Sequence, residues 1–270
     1  MKRITHEDKM RVRLQLDPRV FPETLACLEL YEYDNEISAY DLATALIQCD
    51  KGACMPRCLF DLIVSLYEIA VGEGDDSAMN DLGALYYDGR GCLQDFAQAI
   101  RYYDMAAKRG NRQAQENLGY CYYYGRNVPI DYQKAFHYFA LGAFDGHLNS
   151  LYKIGDMYQN GYYVERNPEE AFRIYSRCLD TMTDEAAPLV AGPVFLRVGN
   201  ALLEGLGVEQ DLKGALICFQ KAEVFLYDMV ASGDVMYKRS LQSAVDGQAK
   251  ARALLAERMP SKEWLDGEKA

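Results

Sequence analysis

The sequence predicts an all-α solenoid, a fold in which similar pairs of helices stack one after another along the chain. Glycines, helix-capping residues and alanines recur in the same order after 36, 36 and 44 residues, and the apolar residues between them keep helical spacing. A period of this length indicates a repeat protein, in which each unit buries its apolar face against its neighbours. The copies of the pattern are Gly83, Gly89, Asp95, Ala99 and Ala107; Gly119, Gly125, Asp131, Ala135 and Ala143; Gly155, Gly161, Asn167 and Ala171; and Gly199, Gly205, Asp211 and Ala215.

The first helix of the repeated unit is predicted over residues 77–88. Leu82 and Leu85 lie at helical spacing and mark its apolar face. Gly83 lies inside the same helix, where glycine costs about 1 kcal/mol relative to alanine. Because this cost recurs in every copy, we expect the second helix to approach this glycine almost backbone to backbone. Gly89 then ends the helix in the left-handed conformation that glycine adopts most easily.

The second helix of each unit begins at a residue whose side chain accepts hydrogen bonds from the free amides of the first turn. The predicted N-caps are Asp95, Asp131, Asn167 and Asp211. In the first copy the second helix presents Ala99, Tyr103 and Ala107 before it stops at Gly110. Small residues therefore mark the tightly packed side of both helices.

The pattern LG(A/Y)xYYxGRxxxxDxxxAxxYxxxAAxxG resembles the Sel-one-like repeat, a relative of the tetratricopeptide repeat with a slightly longer unit. The resemblance extends from Ser77 to Glu223, and its four copies of glycines, caps and alanines are in register. It implies a right-handed α-α superhelix of paired antiparallel helices whose usual role is to hold other proteins together. The fourth copy departs from the pattern, because Leu202 and Leu203 replace the tyrosines of the earlier copies.

A solenoid grows by the addition of units, so we expect one domain over residues 1–270. Its predicted parts are an N-terminal capping segment at 1–37, a degenerate repeat at 38–74, repeats at 75–110, 111–146, 147–192 and 193–231, a C-terminal capping helix at 232–259 and a tail at 260–270.

Three features set these boundaries. The unit at 38–74 is degenerate because Ile47 stands at the position equivalent to Gly83. Equivalent positions of the aligned repeats are called a column below. The extra residues before the fourth repeat contain Pro188 and Pro193, which predict a longer turn. The charged residues from Lys2 to Arg13 predict a solvated terminus.

Composition narrows the class of partner. The chain carries a formal charge of −11 and has a pI near 4.8, which argues against binding to nucleic acid or to an anionic membrane surface. A protein or peptide partner of basic or neutral character is expected instead. The N-terminus lacks the apolar run of a secretory signal and no window resembles a membrane span, so we expect a cytoplasmic protein.

Metal and cofactor signals are weak. Cys49, Cys54 and Cys58 are close in sequence, but a structural zinc site needs four ligands and no fourth ligand stands at a recognised spacing. Glycine-rich phosphate loops are also absent from the sequence. We therefore expect neither a metal nor a cofactor.

One motif leaves an enzymatic alternative open. Ser150 and Lys153 form a Ser-x-x-Lys, the nucleophile motif of penicillin-recognising enzymes, and cysteine-rich members of the family that the chain resembles have been discussed as penicillin-binding. Ser150 stands in the column of Ala78 and Ala114, however, which predicts a buried small residue. A noncatalytic interaction module is favoured, and a penicillin-interacting enzyme or small-molecule binder is the alternative.

The predicted binding surface lies on the first helices, which line the concave side of tetratricopeptide-like superhelices. The first-helix columns that are not used for packing between helices are those of Asn80, Ala84, Tyr87 and Asp88. The predicted partner-binding residues are Asn80, Tyr87, Glu116, Tyr120, Tyr123, Tyr124, Tyr152, Asp156, Gln159 and Asn200. Tyrosine supplies contact area with few rotatable bonds, amides pair with a peptide backbone, and carboxylates favour a lysine- or arginine-bearing segment. Alternatively, tyrosines are simply common in this repeat and the groove is solvated.

Overall fold

The secondary structure of the protein is helical throughout its described part. The structure is a computed structural model, and it describes residues 6–33, 37–49, 55–89, 93–183 and 187–258. These residues form thirteen α-helices and one 3-10 turn, as the predicted all-α fold class requires. None of the described helices is both long enough and apolar enough to cross a membrane. The predicted tail at 260–270 lies outside the described residues.

The helices are, in chain order, α1 (His6–Arg13), α2 (Pro22–Tyr33), α3 (Ala39–Gln48), α4 (Arg57–Glu73), α5 (Asp76–Asp88), α6 (Phe96–Lys108), α7 (Arg112–Tyr124), α8 (Tyr132–Phe144), α9 (Leu148–Asn160), α10 (Pro168–Thr181), α11 (Ala187–Glu204), α12 (Leu212–Ala231) and α13 (Lys238–Glu257), with the 3-10 turn at Val235–Tyr237.

Residues 1–138 and residues 139–270 form two compact units, and the division between them falls inside α8. In the first unit α3 packs on α4, α5 packs on α6, and α6 packs on α7. In the second unit α9 packs on α10, α11 packs on α12, and α12 packs on α13. Each helix pair of the repeat pattern that lies within one unit is therefore a packed pair in the structure.

The N-terminal segment differs from the sequence prediction. Instead of a solvated terminus, residues 6–13 form α1, which contacts α2 and α4. Val12 and Leu16 are buried, and Arg13 forms an ion pair with Glu29 of α2. The two apolar residues explain the difference, because burying their side chains favours a docked segment over a solvated one.

The predicted N-caps are present at all four second helices. Asp95 Oδ1 accepts hydrogen bonds from two backbone amides of the first turn of α6, at 3.0 and 3.1 Å. Asp131, Asn167 and Asp211 accept equivalent bonds at α8, α10 and α12. The first helices α5, α7, α9 and α11 are each followed by a glycine in the left-handed region, with φ between 68 and 73°. The N-cap residues and the glycines of the sequence therefore set the helix ends.

The glycine inside each first helix is buried, as predicted. At Gly83, Gly155 and Gly199 the closest atoms belong to an aromatic ring of the second helix, and at Gly83 the Ala99 carbonyl oxygen of that helix is also close. A Cβ on Gly83 would lie 2.7 Å from the Tyr103 ring of α6. Gly155 stands in the same relation to Tyr175, and Gly199 to Phe219. The absence of a side chain lets a flat ring of the second helix lie directly on the first helix.

The segment before the fourth repeat is also different from its prediction. Instead of a longer turn around Pro188 and Pro193, α11 begins at Ala187 and Pro193 lies inside it. Proline in a helix interior removes one backbone hydrogen bond. The structure tolerates this loss because the same turns bury Val190 and Val194 in the core of the second unit.

The ring contact predicts opposite effects of alanine at two helical glycines of the first unit. Gly83→Ala should destabilise the protein by about 1–3 kcal/mol, because the new methyl group overlaps the buried Tyr103 ring. Gly72→Ala in α4 is the matched control. Apart from its chain neighbours and the backbone of its own helix, no atom of the described residues would lie within 4 Å of its Cβ, so it should stabilise by up to about 1 kcal/mol.

Chemical denaturation followed by circular dichroism measures both changes. Equal stability of the two variants would contradict the packing role of Gly83.

Candidate functional site

The first helices of the first unit are joined by polar side chains. The Tyr40 hydroxyl of α3 donates to Asp81 Oδ2 of α5 at 3.0 Å, and Asn80 Nδ2 donates to Asp81 Oδ1 at 3.1 Å. Asn117 of α7 then donates to Asn80 Oδ1 at 3.0 Å. These bonds link α3, α5 and α7, and they bury Asn80. Asn80, a predicted partner-binding residue, is therefore committed to the contact between repeats.

In the second unit a network of charged side chains links the first helices α9 and α11. Arg197 of α11 donates through Nε and Nη2 to the two carboxylate oxygens of Asp156 in α9, the second of these bonds being 2.6 Å long. The Tyr175 hydroxyl donates to Asp156 Oδ1 at 2.9 Å, and Lys153 Nζ lies 3.5 Å from Oδ2. The guanidinium also lies over the Tyr152 ring, 4.7 Å from its centroid. Asp156 is thus held by three elements, α9, α10 and α11.

The network changes the acidity of its members. Burial by itself would raise the pKa of the Asp156 carboxyl, but the attraction and hydrogen bonds of Arg197, supported by Lys153 and Tyr175, outweigh burial and lower that pKa. Burial likewise opposes protonation of Arg197, yet the attraction of Asp156 raises its pKa overall. Asp156 and Arg197 therefore form a charged pair at neutral pH.

Above this network lies an open cavity of about 490 Å³ between α9 and α11. Three of the predicted partner-binding residues, Asp156, Gln159 and Asn200, are brought together in its lining. The full lining is Asp156, Gln159, Asn160, Tyr175, Leu196, Arg197, Asn200, Ala201, Glu204, Leu206 and Ser240. The Asp156–Arg197 pair fixes its floor, while Asn200 and Glu204 are exposed at its edge. We call it the α9/α11 cavity.

A second group of predicted residues meets in the first unit. The rings of Tyr120 and Tyr124 stack with centroids 6.3 Å apart, and Tyr123 meets Tyr124 edge to face at 4.9 Å. Tyr132 of α8 contacts the Tyr123 ring at 5.7 Å. These four residues form the tyrosine cluster. The Arg126 guanidinium covers its outer ring, 5.7 Å from the Tyr124 centroid.

The ten predicted residues therefore differ in accessibility. Asn80, Glu116, Tyr152 and Asp156 are 7, 3, 4 and 6% exposed, so a partner cannot reach most of their atoms. Half-buried side chains are those of Tyr87, Tyr120, Tyr123 and Gln159, and exposed ones are those of Tyr124 and Asn200. The expectation that all ten are left over by packing is thus wrong for the four buried residues, whose binding role stays a prediction.

Sequence reasoning missed Arg197, although a signal for it was present. The column of Asp81 contains Asn117, Lys153 and Arg197 in the later copies, so it is polar in every unit. A column that is always polar on a helix packed between neighbours indicates bonds between repeats. The structure shows such bonds for Asp81, Asn117 and Arg197.

The residues of the enzymatic alternative are not arranged for nucleophilic catalysis. Ser150 is fully buried, and within the described part of the chain its hydroxyl has no hydrogen-bond partner. It packs where Gly142 of α8 leaves room, since a Cβ on that glycine would overlap the hydroxyl. Among the described residues, no three histidine, cysteine, aspartate or glutamate side chains are grouped to hold a metal ion. Cys54 lies outside the described residues.

Comparison with known proteins agrees with the repeat pattern. The sequence profile of the Sel1 repeat matches residues 76–111, 112–147, 148–177 and 196–223. The chain contains four Sel1 repeats. This is the repeat that the residue pattern resembles, so the prediction of a Sel-one-like repeat protein is confirmed. No curated protein sequence matches the chain significantly.

Solved structures support the fold. A Sel1 repeat protein from Oxalobacter formigenes is 20% identical, with a TM-score of 0.52, and the match covers 74% of this chain and 84% of that one. A protective antigen of uropathogenic Escherichia coli strains with an SLR fold is 18% identical, also with a TM-score of 0.52. That match covers 93% of this chain but only 57% of the antigen. At these identities the likeness shows the fold alone, and it confirms the helical repeat fold.

The charged network predicts a pH-dependent contribution to stability. Arg197→Met should lower the free energy of unfolding by about 3 kcal/mol at pH 7, because the buried Asp156 carboxylate then lacks its main partner. Folding lowers the pKa of this carboxyl from its ordinary 3.8, so its stabilisation is complete above that value and is lost as the pH falls below it. The difference in the free energy of unfolding between Arg197→Met and the wild type should therefore become smaller in acid.

Urea denaturation at pH 7 and at pH 3 measures this gap. The control is Arg173→Met, which breaks an exposed pair with Glu170 and should change stability by less than about 1 kcal/mol. If both arginine variants lose the same small amount, Asp156 does not depend on Arg197.

The buried hydroxyl predicts a variant that is not destabilised. Ser150→Ala removes a polar atom without a partner, so the free energy of unfolding should stay the same or rise by about 1 kcal/mol. The control is Ser243→Ala. The exposed Ser243 hydroxyl donates to the Arg239 carbonyl oxygen, and its removal should change the free energy of unfolding by less than about 0.5 kcal/mol. A loss above 2 kcal/mol in Ser150→Ala would show that its hydroxyl is bonded.

Proposed function

We propose that this Sel1 repeat protein is a noncatalytic interaction module that binds a peptide or protein segment on its first helices. In the predicted superhelix these helices line the concave groove. The observation that carries the proposal is the α9/α11 cavity, in which predicted binding residues surround open space above a fixed floor. The four repeats support a protein partner, since Sel1 repeats generally serve as protein-interaction scaffolds.

The chemistry of this cavity suits an extended peptide. The side-chain amides of Gln159 and Asn200 offer both donors and acceptors, as a peptide backbone requires. Leu196 and Ala201 line the α11 side with apolar atoms, and 8 and 5% of their surfaces are exposed. Because Arg197 and Asp156 hold each other in place, little side-chain ordering is left to oppose binding.

The tyrosine cluster provides a second contact area for the same kind of partner. Its rings already support one another, so a partner that packs on them immobilises few side chains. Tyr124, the exposed member, is the ring that a partner can reach first. Tyr152 is unsuitable for testing this surface, because its ring supports Arg197 and its loss would disturb the charged network.

The acidic chain favours a neutral or basic partner over nucleic acid or an anionic membrane surface. The alternative of a penicillin-interacting enzyme finds no support in the geometry, since Ser150 is enclosed between helices. A cytoplasmic location remains a prediction from the sequence.

Selection from a random library of 12-residue peptides tests the proposal. The wild-type chain should enrich a family of related sequences. The double variant Gln159→Ala, Asn200→Ala should bind the enriched peptides at least about tenfold more weakly, because it loses two amides of the cavity.

The control is Gln220→Ala, an exposed amide on the second helix α12, which should bind as the wild type does. All variants should keep the helical circular-dichroism signal. Enrichment of no peptide family, or equal weakening by the control, would contradict binding in the α9/α11 cavity.

A further inference from the structure

The second helix of the fourth repeat, α12, exposes apolar side chains along one face. The residues that it buries are Leu212, Ala215, Phe219, Ala222 and Leu226. On the opposite face Ile217, Val224 and Tyr227 are 53, 61 and 62% exposed in the described part of the chain. At 3.6 residues per turn Ile217 and Val224 lie on one line along the helix, with Tyr227 beside them. We call these three residues the α12 stripe.

The repeat frame shows that this apolar character is specific to the fourth repeat. In the three earlier repeats the columns of Ile217 and Val224 carry, as pairs, Arg101 and Lys108, His137 and Phe144, and Arg173 and Asp180. All six of these side chains are exposed. Both columns therefore face water in every repeat, yet only α12 has an apolar residue in both. Adjacent exposed apolar residues of this kind indicate a contact surface.

The helix that carries the stripe is also extended. α12 has 20 residues, whereas α6, α8 and α10 have 13, 13 and 14. The additional turns at its C-terminal end carry Tyr227 and Asp228. Leu226, on the inner side of the same turns, is fully buried and approaches Gly192 of α11. The extension is therefore packed against the second unit, and its outer face is held in a fixed position.

Two opposite charges flank Val224 on the exposed face. Lys221 is exposed, and its ammonium group lies over the Phe195 ring, 5.1 Å from the centroid. Asp228 is exposed on the same side of the helix. Seven residues of α-helix span about 10 Å, so these two charges are too far apart to form an ion pair within α12.

The pattern of charges is complementary to itself in one direction only. If a second copy of α12 packs antiparallel, with a two-fold axis near Val224, Lys221 of each copy lies beside Asp228 of the other. The symmetry forms this ion pair twice. A parallel arrangement would instead place like charges beside each other at both positions. The antiparallel arrangement also places Ile217 of one copy near the small residue Ala231 of the other.

We propose that the protein forms an antiparallel dimer through the exposed face of α12, with Val224 at the two-fold axis. Ile217, Val224 and Tyr227 are then removed from water, and the two ion pairs fix the direction of the helices. A partner of another kind would require no such self-complementary charges.

This contact is limited to one pair of helices. It lies at the small end of specific interfaces, below about 1,200 Å² of total buried surface, so the dimer should be reversible. The lining of the α9/α11 cavity includes no residue of α12, and the dimer therefore carries that cavity twice. The inference is independent of the proposed function.

Sedimentation equilibrium of the full chain tests the dimer. With rising protein concentration the average mass of the wild type should increase from 30.6 kDa toward twice that value. Lys221→Glu and Asp228→Lys, each alone, should weaken dimerisation by at least about tenfold, because each places like charges beside each other twice. An equimolar mixture of the two variants should dimerise again. In that mixture the new acid of one chain faces the new lysine of the other, and the unchanged Asp228 faces the unchanged Lys221.

The matched control is Arg101→Glu on the second helix α6. Arg101 is also an exposed cation, and its guanidinium lies over the Tyr102 ring, 5.6 Å from the centroid. The control alters the net charge of the chain by the same amount as Lys221→Glu, and it should dimerise as the wild type does. Every variant changes an exposed side chain and should keep the helical circular-dichroism signal.

A wild type that stays monomeric at every concentration, or a dimer that neither charge variant weakens, would overturn the inference. Loss of the dimer in both variants without recovery in their mixture would also overturn it, because Lys221 and Asp228 would then not face each other. Equal weakening by Arg101→Glu would assign the effect to net charge and would count against the α12 contact.

Discussion

The helix pairs depend on the contact between a glycine of the first helix and an aromatic ring of the second. Gly83, Gly155 and Gly199 each leave room for a flat ring at a distance that no Cβ would permit. Glycine weakens the helix that contains it, so the contact must return more free energy than that weakening costs. In the second unit the ring also borders the proposed binding surface, because Tyr175 packs on Gly155 and is part of the lining of the α9/α11 cavity.

Polar bonds between first helices are the second constraint. The Tyr40–Asp81 pair of the first unit and the Arg197–Asp156 pair of the second share one column of the repeat, that of Asp81 and Arg197. The Asp81 carboxylate is held by a neutral hydroxyl, whereas the Asp156 carboxylate is held by a cation. Buried polar pairs add little net stability when both partners are present, but losing one partner is costly. Such pairs therefore fix how neighbouring repeats meet. They also leave cavities in place above them, since side chains that hold each other do not collapse into the space beside them.

The repeat thus has two parts. Its glycines, N-caps and packing residues form a constant frame, and the residues in the spaces between first helices, its contents, vary from unit to unit. One column provides Asp88, Tyr124 and Glu204 in different units, and the space beside it is a small cavity between α3 and α5, a ring cluster or a larger amide-lined cavity. The Sel1 repeat accounts for the frame. In the proposed function the contents select the partner, because the frame is the same in every unit.

The sequence by itself determined the helical repeat, its helix ends and its buried glycines, because capping and close packing depend on residue types at fixed local spacing. Tertiary structure decided which polar residues are accessible. Asp156 has the spacing of a surface residue, but Arg197, 41 residues later, encloses it, and no local period reports a contact with so distant a helix. The same holds for the docking of α1 and for Pro193 inside α11, where burial against other helices outweighs the local signals of a charged terminus and of a turn. The period of apolar residues reflects the local sequence of a helix, whereas burial depends on which distant parts of the chain pack against that helix.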